Sequence, residues 1–199
     1  YTWNVSRGCK HGCRWVMPNG DVAVCYAESV ANGIASAAYP GGFENPTWHE
    51  EALEDPVRIK EPARIFLDSM ADLMGIWNTS EQIEQVLDVC RRAHWHDFLL
   101  LTKNAPRLRM FKFPPNVWVG ASMPPSIMHG KELSLDQQRQ MLRVTLSTLA
   151  EITATVKWIS FEPLSFDVGS CLAWASEQYG AVLQWAVIGA ASNGPTIYQ

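Results

Sequence analysis

The sequence has no long apolar run and no secretory leader pattern. None of its apolar runs approaches the roughly 18 residues that a membrane span needs, and no basic segment followed by a short apolar one marks a signal peptide. The chain has five cysteines, and because this number is odd they cannot all pair in disulfides within the chain. These absences predict no membrane association, reduced thiols and a cytoplasmic location.

Strong positive charge is missing as well. The formal net charge is −4, from 16 basic and 20 acidic residues, which argues against a broad basic surface for duplex nucleic acid. There is no internal repeat and no low-complexity segment. With 47% hydrophobic residues among 199, the chain can bury one substantial core, so we expect a single domain over residues 1–199.

Short apolar segments alternate with segments of helical periodicity. Thr79 and Gln82 have the spacing of a capping box at the start of one predicted helix, and Ser134 and Gln137 have it at the start of another. Strands that are apolar throughout and alternate with helices indicate a parallel sheet covered on both faces. The predicted strands cover residues 2–6, 64–68, 97–102, 116–121, 156–161 and 184–189, and the predicted helices cover residues 26–37, 80–93, 105–110, 134–150 and 166–179.

About six β-α units favour an α/β fold, a partial (β/α)6 TIM-like barrel of parallel strands. A doubly wound sheet is the alternative, but no G-x-G-x-x-G follows the first strand. In both architectures ligands bind at the carboxyl ends of the strands, so the residues that follow the predicted strands form one candidate site. These are Cys9, Cys13 and Cys25, then residues 68–72, 102–104, 122–123, 162–164 and 189–195.

Cys9, Cys13 and Cys25 lie within 17 positions and are called here the cysteine triad. Their C-x3-C-x11-C spacing leaves several chemistries open. Three thiolates suit a [4Fe–4S] cluster in which one iron has no protein ligand. A structural zinc site needs four donors, so His11 or His49 would have to complete it. A disulfide would leave one thiol over and needs an oxidising compartment.

A C-x3-C pair after the first strand of a partial barrel resembles the radical S-adenosylmethionine (SAM) superfamily, whose motif is C-x3-C-x-aromatic-C. Trp15 falls on the aromatic position, whereas Val16 stands where the third cysteine belongs. The third thiol is delayed to Cys25, beyond an insert over residues 17–21.

The whole chain resembles more closely a three-cysteine radical-SAM-like family found in phages and bacteria. The shared blocks occur here in the family's order: Thr-Trp-Asn at residues 2–4, Gly-Cys at 8–9, Cys-Tyr-Ala-Glu at 25–28, Ser-Met-x-Asp-Leu at 69–73, Leu-Leu-Thr-Lys at 100–103, Asn-Val-Trp-x-Gly at 116–120, Glu-Pro-Leu at 162–164 and Trp-x-x-x-Gly at 185–189. The resemblance implies a radical SAM enzyme with a [4Fe–4S] cluster, bound SAM and a 5′-deoxyadenosyl radical. It also implies an electron donor of the flavodoxin or ferredoxin type. It assigns no substrate, although the phage association suggests a nucleic acid base or a nucleotide.

The resemblance also implies roles for individual residues. The triad would ligate three irons of the cluster. Ser69 and Asp72, after the second strand, would hold the methionyl amine of SAM, since a carboxylate suits an ammonium group. Lys103 would pair with the cofactor carboxylate or with a substrate anion.

Further roles fall on the remaining strand ends. Ser122 would contact the ribose, and Glu162 would make a polar contact to cofactor or substrate. Gly189 and the loop to residue 194 would let the backbone approach the adenine. Tyr26, beside Cys25, and Trp15 would shield the cluster from solvent, which tunes its potential.

Two other functions compete with the enzyme. One is a zinc-stabilised nucleic-acid-binding module that uses Trp15 and Tyr26 for stacking. The other is a barrel without a cluster that only binds a ligand. The convergence of polar groups on the strand ends favours the enzyme over both.

Overall fold

A computed structural model of the protein describes residues 1–17, 19–193 and 196–198. Its central sheet has six strands, which lie side by side in the order of the chain and are all parallel. They are β1 (Thr2–Trp3), β2 (Arg64–Leu67), β3 (Asp97–Thr102), β4 (Val117–Ser122), β5 (Lys157–Phe161) and β6 (Trp185–Ile188).

This strand order agrees with a partial (β/α) barrel. A doubly wound sheet reverses its strand order at a switch point, and no such reversal occurs here. In the described part of the chain β1 and β6 are the two edges of the sheet and do not pair with each other. The sheet is therefore open, as six units predict. Its strand order rules out the doubly wound alternative.

Five α-helices connect or flank the strands. Both predicted capping boxes are present, and each closes hydrogen bonds in both directions between the cap residue and the third helical residue. The helix after β1 is shorter than residues 26–37, and the predicted helix over residues 105–110 is a 3₁₀-helix. The α-helices are α1 (Tyr26–Asn32), α2 (Asp55–Arg58), α3 (Ser80–Arg92), α4 (Leu135–Glu151) and α5 (Gly169–Tyr179).

The two faces of the sheet are filled differently. Ile65, Phe98 and Val119 alternate along their strands with residues of the other face, and they pack with Ile83 and Leu87 of α3 in the largest buried cluster. The opposite face is aromatic. There the Trp158 ring lies 4.7 Å from the Trp185 ring and stacks on it, and Phe66 and Trp118 make edge contacts. These rings fill the inner face below the carboxyl ends of the strands.

A small antiparallel sheet was not predicted. Two strands on either side of the insert, Arg14–Val16 and Val22–Val24, pair as a hairpin, here called the cysteine hairpin. Ile127–Met128, after β4, pairs with its first strand at Arg14. The hairpin follows β1, so this sheet belongs to the same end of the fold as the predicted site.

The chain ends in a second hairpin, between Ala191–Asn193 and Thr196–Tyr198. Gly194, the last residue of the predicted adenine loop, and Pro195, the last of the predicted strand-end residues, lie outside the described residues. None of the helices in the described ranges combines the length and the apolar character that crossing a bilayer requires.

Candidate active site

Residues 8–13, which hold Cys9 and Cys13, are called here the cysteine loop. Gly8 fixes the start of this loop to the carboxyl end of β2. It has φ +86, and its N–H donates to the Met70 carbonyl at 3.0 Å. The next N–H, of Cys9, donates to the Phe43 carbonyl at 2.8 Å. A Cβ on Gly8 would lie 2.6 Å from that same oxygen, so both the conformation and the space require glycine.

The structure brings the three thiols together. All three are free of disulfides. Cys25 directly precedes α1 and packs against the buried cluster that holds Cys13 and Trp15. Cys25 and Cys9 also pack against a second cluster, around Phe43. Cys25 therefore shares a cluster with each of the other two cysteines, at the carboxyl end of the parallel sheet.

Cys9 and Cys13 are set in surroundings that disfavour free thiolates. Burial is the largest cause that raises the pKa of Cys9, and it raises the pKa of Cys13 to about 11. The nearby charge of Lys103 partly opposes the rise at Cys13. Without a bound metal Cys9 and Cys13 are neutral thiols at pH 7, and a metal centre would be what deprotonates them.

The donor set fits an iron–sulfur cluster better than a zinc ion. Nowhere in the described ranges do three or more histidine, cysteine, aspartate or glutamate side chains converge so as to hold a metal ion. A zinc site needs four donors around one point. Of the two histidines weighed as a fourth ligand, His49 has both ring nitrogens engaged, by Thr47 and Glu51 at 2.9 Å each. His11 bonds to Asp72 through Nε2 at 2.8 Å, and its Nδ1 has no partner among the described residues. A [4Fe–4S] cluster spreads its ligands over separate irons, which three neighbouring thiols can supply.

Asp72 is buried, and other protein groups occupy its carboxylate. One oxygen bonds to His11 Nε2 at 2.8 Å and accepts the Lys103 N–H at 2.9 Å, and the other accepts the Met74 N–H at 3.0 Å. Burial alone would raise the pKa of Asp72, but the His11 contact and further hydrogen bonds hold it below its usual value. Asp72 is therefore ionised and joins the cysteine loop to the ends of β2 and β3.

Asp68, directly after β2, contrasts with Asp72. Burial raises its pKa to about 8, and only one of its oxygens is engaged, by the Ser6 N–H at 3.0 Å. The other oxygen is buried and has no partner among the described residues. Its φ of +48 is unusual for a residue other than glycine. Ser69, the neighbouring predicted residue, donates to Asn4 Oδ1 at 3.2 Å.

The strand ends of β3, β4 and β5 bring further predicted residues to one rim. Lys103 Nζ lies 5.4 Å from the centroid of the Trp15 ring, in a cation–π contact beside Cys13. Ser122 is the register partner of Ser160 on the neighbouring strand. Lys103 and Ser122 both line a cavity of about 140 Å³ that α4 closes on one side. A larger cavity, about 680 Å³, is a surface groove beside α3 that none of the predicted residues lines.

Glu162 and Gly189 are in contact. A Cβ on Gly189 would lie 2.9 Å from Glu162 Oε1, and the Gly189 N–H donates to the Phe161 carbonyl at 3.2 Å. Ser160 Oγ donates to Glu162 Oε2 at 2.9 Å. The sequence reasoning missed Ser160, although its spacing of two from Glu162 on a strand predicts the same face.

The two aromatic residues expected to shield the triad differ in position. Trp15 is buried and packs in the cluster that contains Cys13. Tyr26 is 73% exposed, so its ring does not cover the thiols as expected. Tyr26 opens α1 with its side chain outward, and the buried residue that follows it is Ala27.

Comparison with known proteins gives a family and a fold. A family model described as "Protein of unknown function (DUF5131)" matches residues 1–197. No curated protein matches the sequence. A solved structure described as spore photoproduct lyase complexed with dinucleoside spore photoproduct has a similar fold, with a TM-score of 0.57 and 11% sequence identity. The likeness covers 90% of this chain and 53% of the lyase chain, so this chain spans about half the length of that protein.

Proposed function

The chain belongs to the DUF5131 family, and we propose that this protein is a radical SAM enzyme that holds a [4Fe–4S] cluster through Cys9, Cys13 and Cys25. One observation carries the proposal: three free thiols lie together at the carboxyl end of an open parallel sheet whose strands follow chain order. That end is where enzymes of this architecture bind their ligands.

Two further findings support the proposal. The sequence blocks that resemble the radical SAM superfamily run through almost the whole chain, and the fold likeness to a spore photoproduct lyase agrees with them. That lyase was solved with a dinucleoside photoproduct. A nucleic acid base or nucleotide is therefore the substrate class that we propose to test first.

The bound cluster and SAM would supply a 5′-deoxyadenosyl radical that abstracts a hydrogen atom from the substrate. The chain's own part is to bind, orient and exclude water. The thiols of the triad would bind three irons. Trp15 covers Cys13 from solvent, and the Lys103 charge beside it offsets thiolate charge.

Polar groups on the rim would orient the cofactor and the substrate. Glu162 keeps a fixed direction because Ser160 donates to it, and its carboxylate lies in the space that the missing Cβ of Gly189 leaves. Asp68 keeps one buried oxygen free, whereas protein donors engage both oxygens of Asp72. For the methionyl amine we therefore assign the direct contact to Asp68, whose carboxyl group would ionise beside that positive charge, and a supporting role to Asp72.

Anaerobic reconstitution tests the proposal. We expect about four irons and four sulfides per chain and a broad absorption band near ~400 nm. Cys13→Ala should lose both, while Cys90→Ala, which removes a buried thiol of α3 far from the triad in sequence, should keep them. One zinc and no iron, or equal iron in both variants, would refute the cluster assignment.

A second measurement tests the chemistry. Dithionite replaces the expected electron donor of the flavodoxin or ferredoxin type, and 5′-deoxyadenosine is measured by mass spectrometry after incubation with SAM. Wild type should form it and Cys13→Ala should not. A wild-type protein that holds the cluster and forms none would be a ligand-binding barrel rather than a radical enzyme.

A further inference from the structure

His11 stands between Cys9 and Cys13 in the sequence, and the predicted site gave it no role except as a fourth zinc ligand. In the structure its side chain is 6% exposed, and so is that of Asp72, with 2.8 Å between Nε2 and Oδ2. Because Asp72 is ionised, His11 Nε2 is the donor of this hydrogen bond. Removing the histidine from this buried carboxylate would leave a hydrogen-bond acceptor without its partner, which costs free energy.

The partner of His11 is itself rigid. Asp72 also accepts the N–H groups of Met74 and Lys103, so two strand ends fix its carboxylate whether or not His11 is present. His11 therefore bonds to a carboxylate that other groups already hold in place.

The middle of the cysteine loop has few other attachments. Gly12 has φ +59, and no atom lies within 4 Å of the position of a Cβ there, so packing does not hold this residue. His129 also holds this part of the loop, because its N–H donates to the His11 carbonyl at 2.6 Å and its Nδ1 lies 3.0 Å from the Lys10 carbonyl oxygen. The His11 N–H in turn bonds to the Cys9 sulfur. The place of His11 therefore sets the surroundings of Cys9 directly and those of Cys13 through Gly12.

The His11 ring has a second feature that is typical of a histidine that supports a bound group. Its Nδ1 is buried and has no partner in the described part of the chain. A histidine with one nitrogen on a carboxylate and the other free is the arrangement found beside metal centres, where the carboxylate fixes the orientation of the ring. The Trp77 ring, 5.1 Å away and edge-on, packs against this ring.

We propose that His11 is a positioning residue, which holds the loop between Cys9 and Cys13 through its hydrogen bond to Asp72 and so keeps the two thiols in place for the cluster. The inference rests on the proposed function for the identity of the bound group. The effect of His11 on the positions of the two thiols can be tested without iron.

The test measures the alkylation rate of each cysteine in the reduced, cluster-free full chain, with iodoacetamide and peptide mass spectrometry. His11→Ala should raise the rates of Cys9 and Cys13 at least ~10-fold, because local opening exposes them. Cys90 and Cys171, both fully buried in helices, are internal controls and should not change.

His11→Gln provides the conservative rescue, since its amide can donate to Asp72 as Nε2 does. Its rates at Cys9 and Cys13 should return to within about 3-fold of wild type. His94→Ala, an exposed histidine just before β3, is the matched control and should leave all five rates unchanged.

Three results would overturn the proposal: unchanged rates at Cys9 and Cys13 in His11→Ala, all five rates rising together, or no recovery in His11→Gln. If the wild-type chain never acquires iron, the enzyme function fails while the alkylation rates still decide the positioning role. If the wild-type chain does acquire iron, the iron content per chain should fall in His11→Ala and recover in His11→Gln. Equal iron content in all three proteins would show that His11 does not act on the cluster.

Discussion

Replacing Gly8 by alanine should damage the candidate site more than any other single methyl group added to the cysteine loop. The backbone at φ +86 costs an L-residue about 1–2 kcal/mol. In addition, the new Cβ would lie 2.6 Å from the Phe43 carbonyl oxygen, a distance that the chain must relieve by moving. That movement pulls on two backbone hydrogen bonds, from Gly8 to Met70 and from Cys9 to Phe43, each worth about 0.5–1.5 kcal/mol.

Together these losses come to about 2–5 kcal/mol of unfolding free energy. Gly12→Ala is the matched control, because Gly12 also has a positive φ, +59, but no atom lies within 4 Å of its Cβ position. It should cost only the conformational part, about 1–2 kcal/mol. The difference between the two variants isolates the close approach at Gly8.

Urea unfolding followed by tryptophan fluorescence measures both free energies, and iron loading after anaerobic reconstitution measures the effect on the site. Gly8→Ala should be the less stable variant and should load less iron, since Cys9 moves with it. Equal destabilisation by the two alanines would refute the reasoning, because it would show that the contact with Phe43 does not constrain the loop.

Three further predictions concern the sheet, a helix and pH. Gly120→Ala should lower the unfolding free energy by about 1–3 kcal/mol in urea, since its Cβ would lie 2.3 Å from the Trp158 ring; an unchanged midpoint would show that the ring moves freely. Thr79→Ala should cost about 1 kcal/mol by the same assay, through loss of the capping box, and no loss would contradict a role for the cap. Burial raises the pKa of Asp68 to about 8 in the folded state, so between about pH 4 and pH 8 the folded chain keeps a proton that the unfolded chain has released. The contribution of Asp68 to stability is therefore present below about pH 4 and falls as the pH rises to about 8. The urea midpoint of the wild type should fall from pH 5 to pH 8, and Asp68→Asn should make this fall smaller. Parallel curves for variant and wild type would contradict this.

The position of the acidic groups shows where reasoning from sequence ends. Asp72 was expected to face an ammonium group of the cofactor, because it follows a strand and carries the right charge. In the structure His11 and two backbone N–H groups engage its oxygens, and Asp68, four residues earlier, has the free one. The two aspartates are indistinguishable as charges on one loop, and only contacts with residues far away in the chain separate them.

The aromatic residues show the same limit. Trp15 and Tyr26 both stand beside cysteines, and both were expected to shield them. Trp15 is buried because the cysteine hairpin folds its side chain inward, whereas Tyr26 opens a short helix and is 73% exposed. The hairpin itself went unpredicted because its strands have only three residues each, too short for a periodic pattern.

The sequence by itself determined the six strands, the long helices with their capping boxes, and the grouping of Cys9, Cys13 and Cys25 near the first strand end. These features are local: the repeat of apolar residues and the bonds of a cap residue to its own helix involve neighbours in the chain. The tertiary structure decided the strand order, the pairing of His11 with Asp72 and the contact of Ser160 with Glu162 on the rim. Alternation along a strand could have predicted the last contact, but the other two features join distant segments: His11 and Asp72, for example, are 61 residues apart. Their geometry follows from how parallel strands align with one another, which no short stretch of residues encodes.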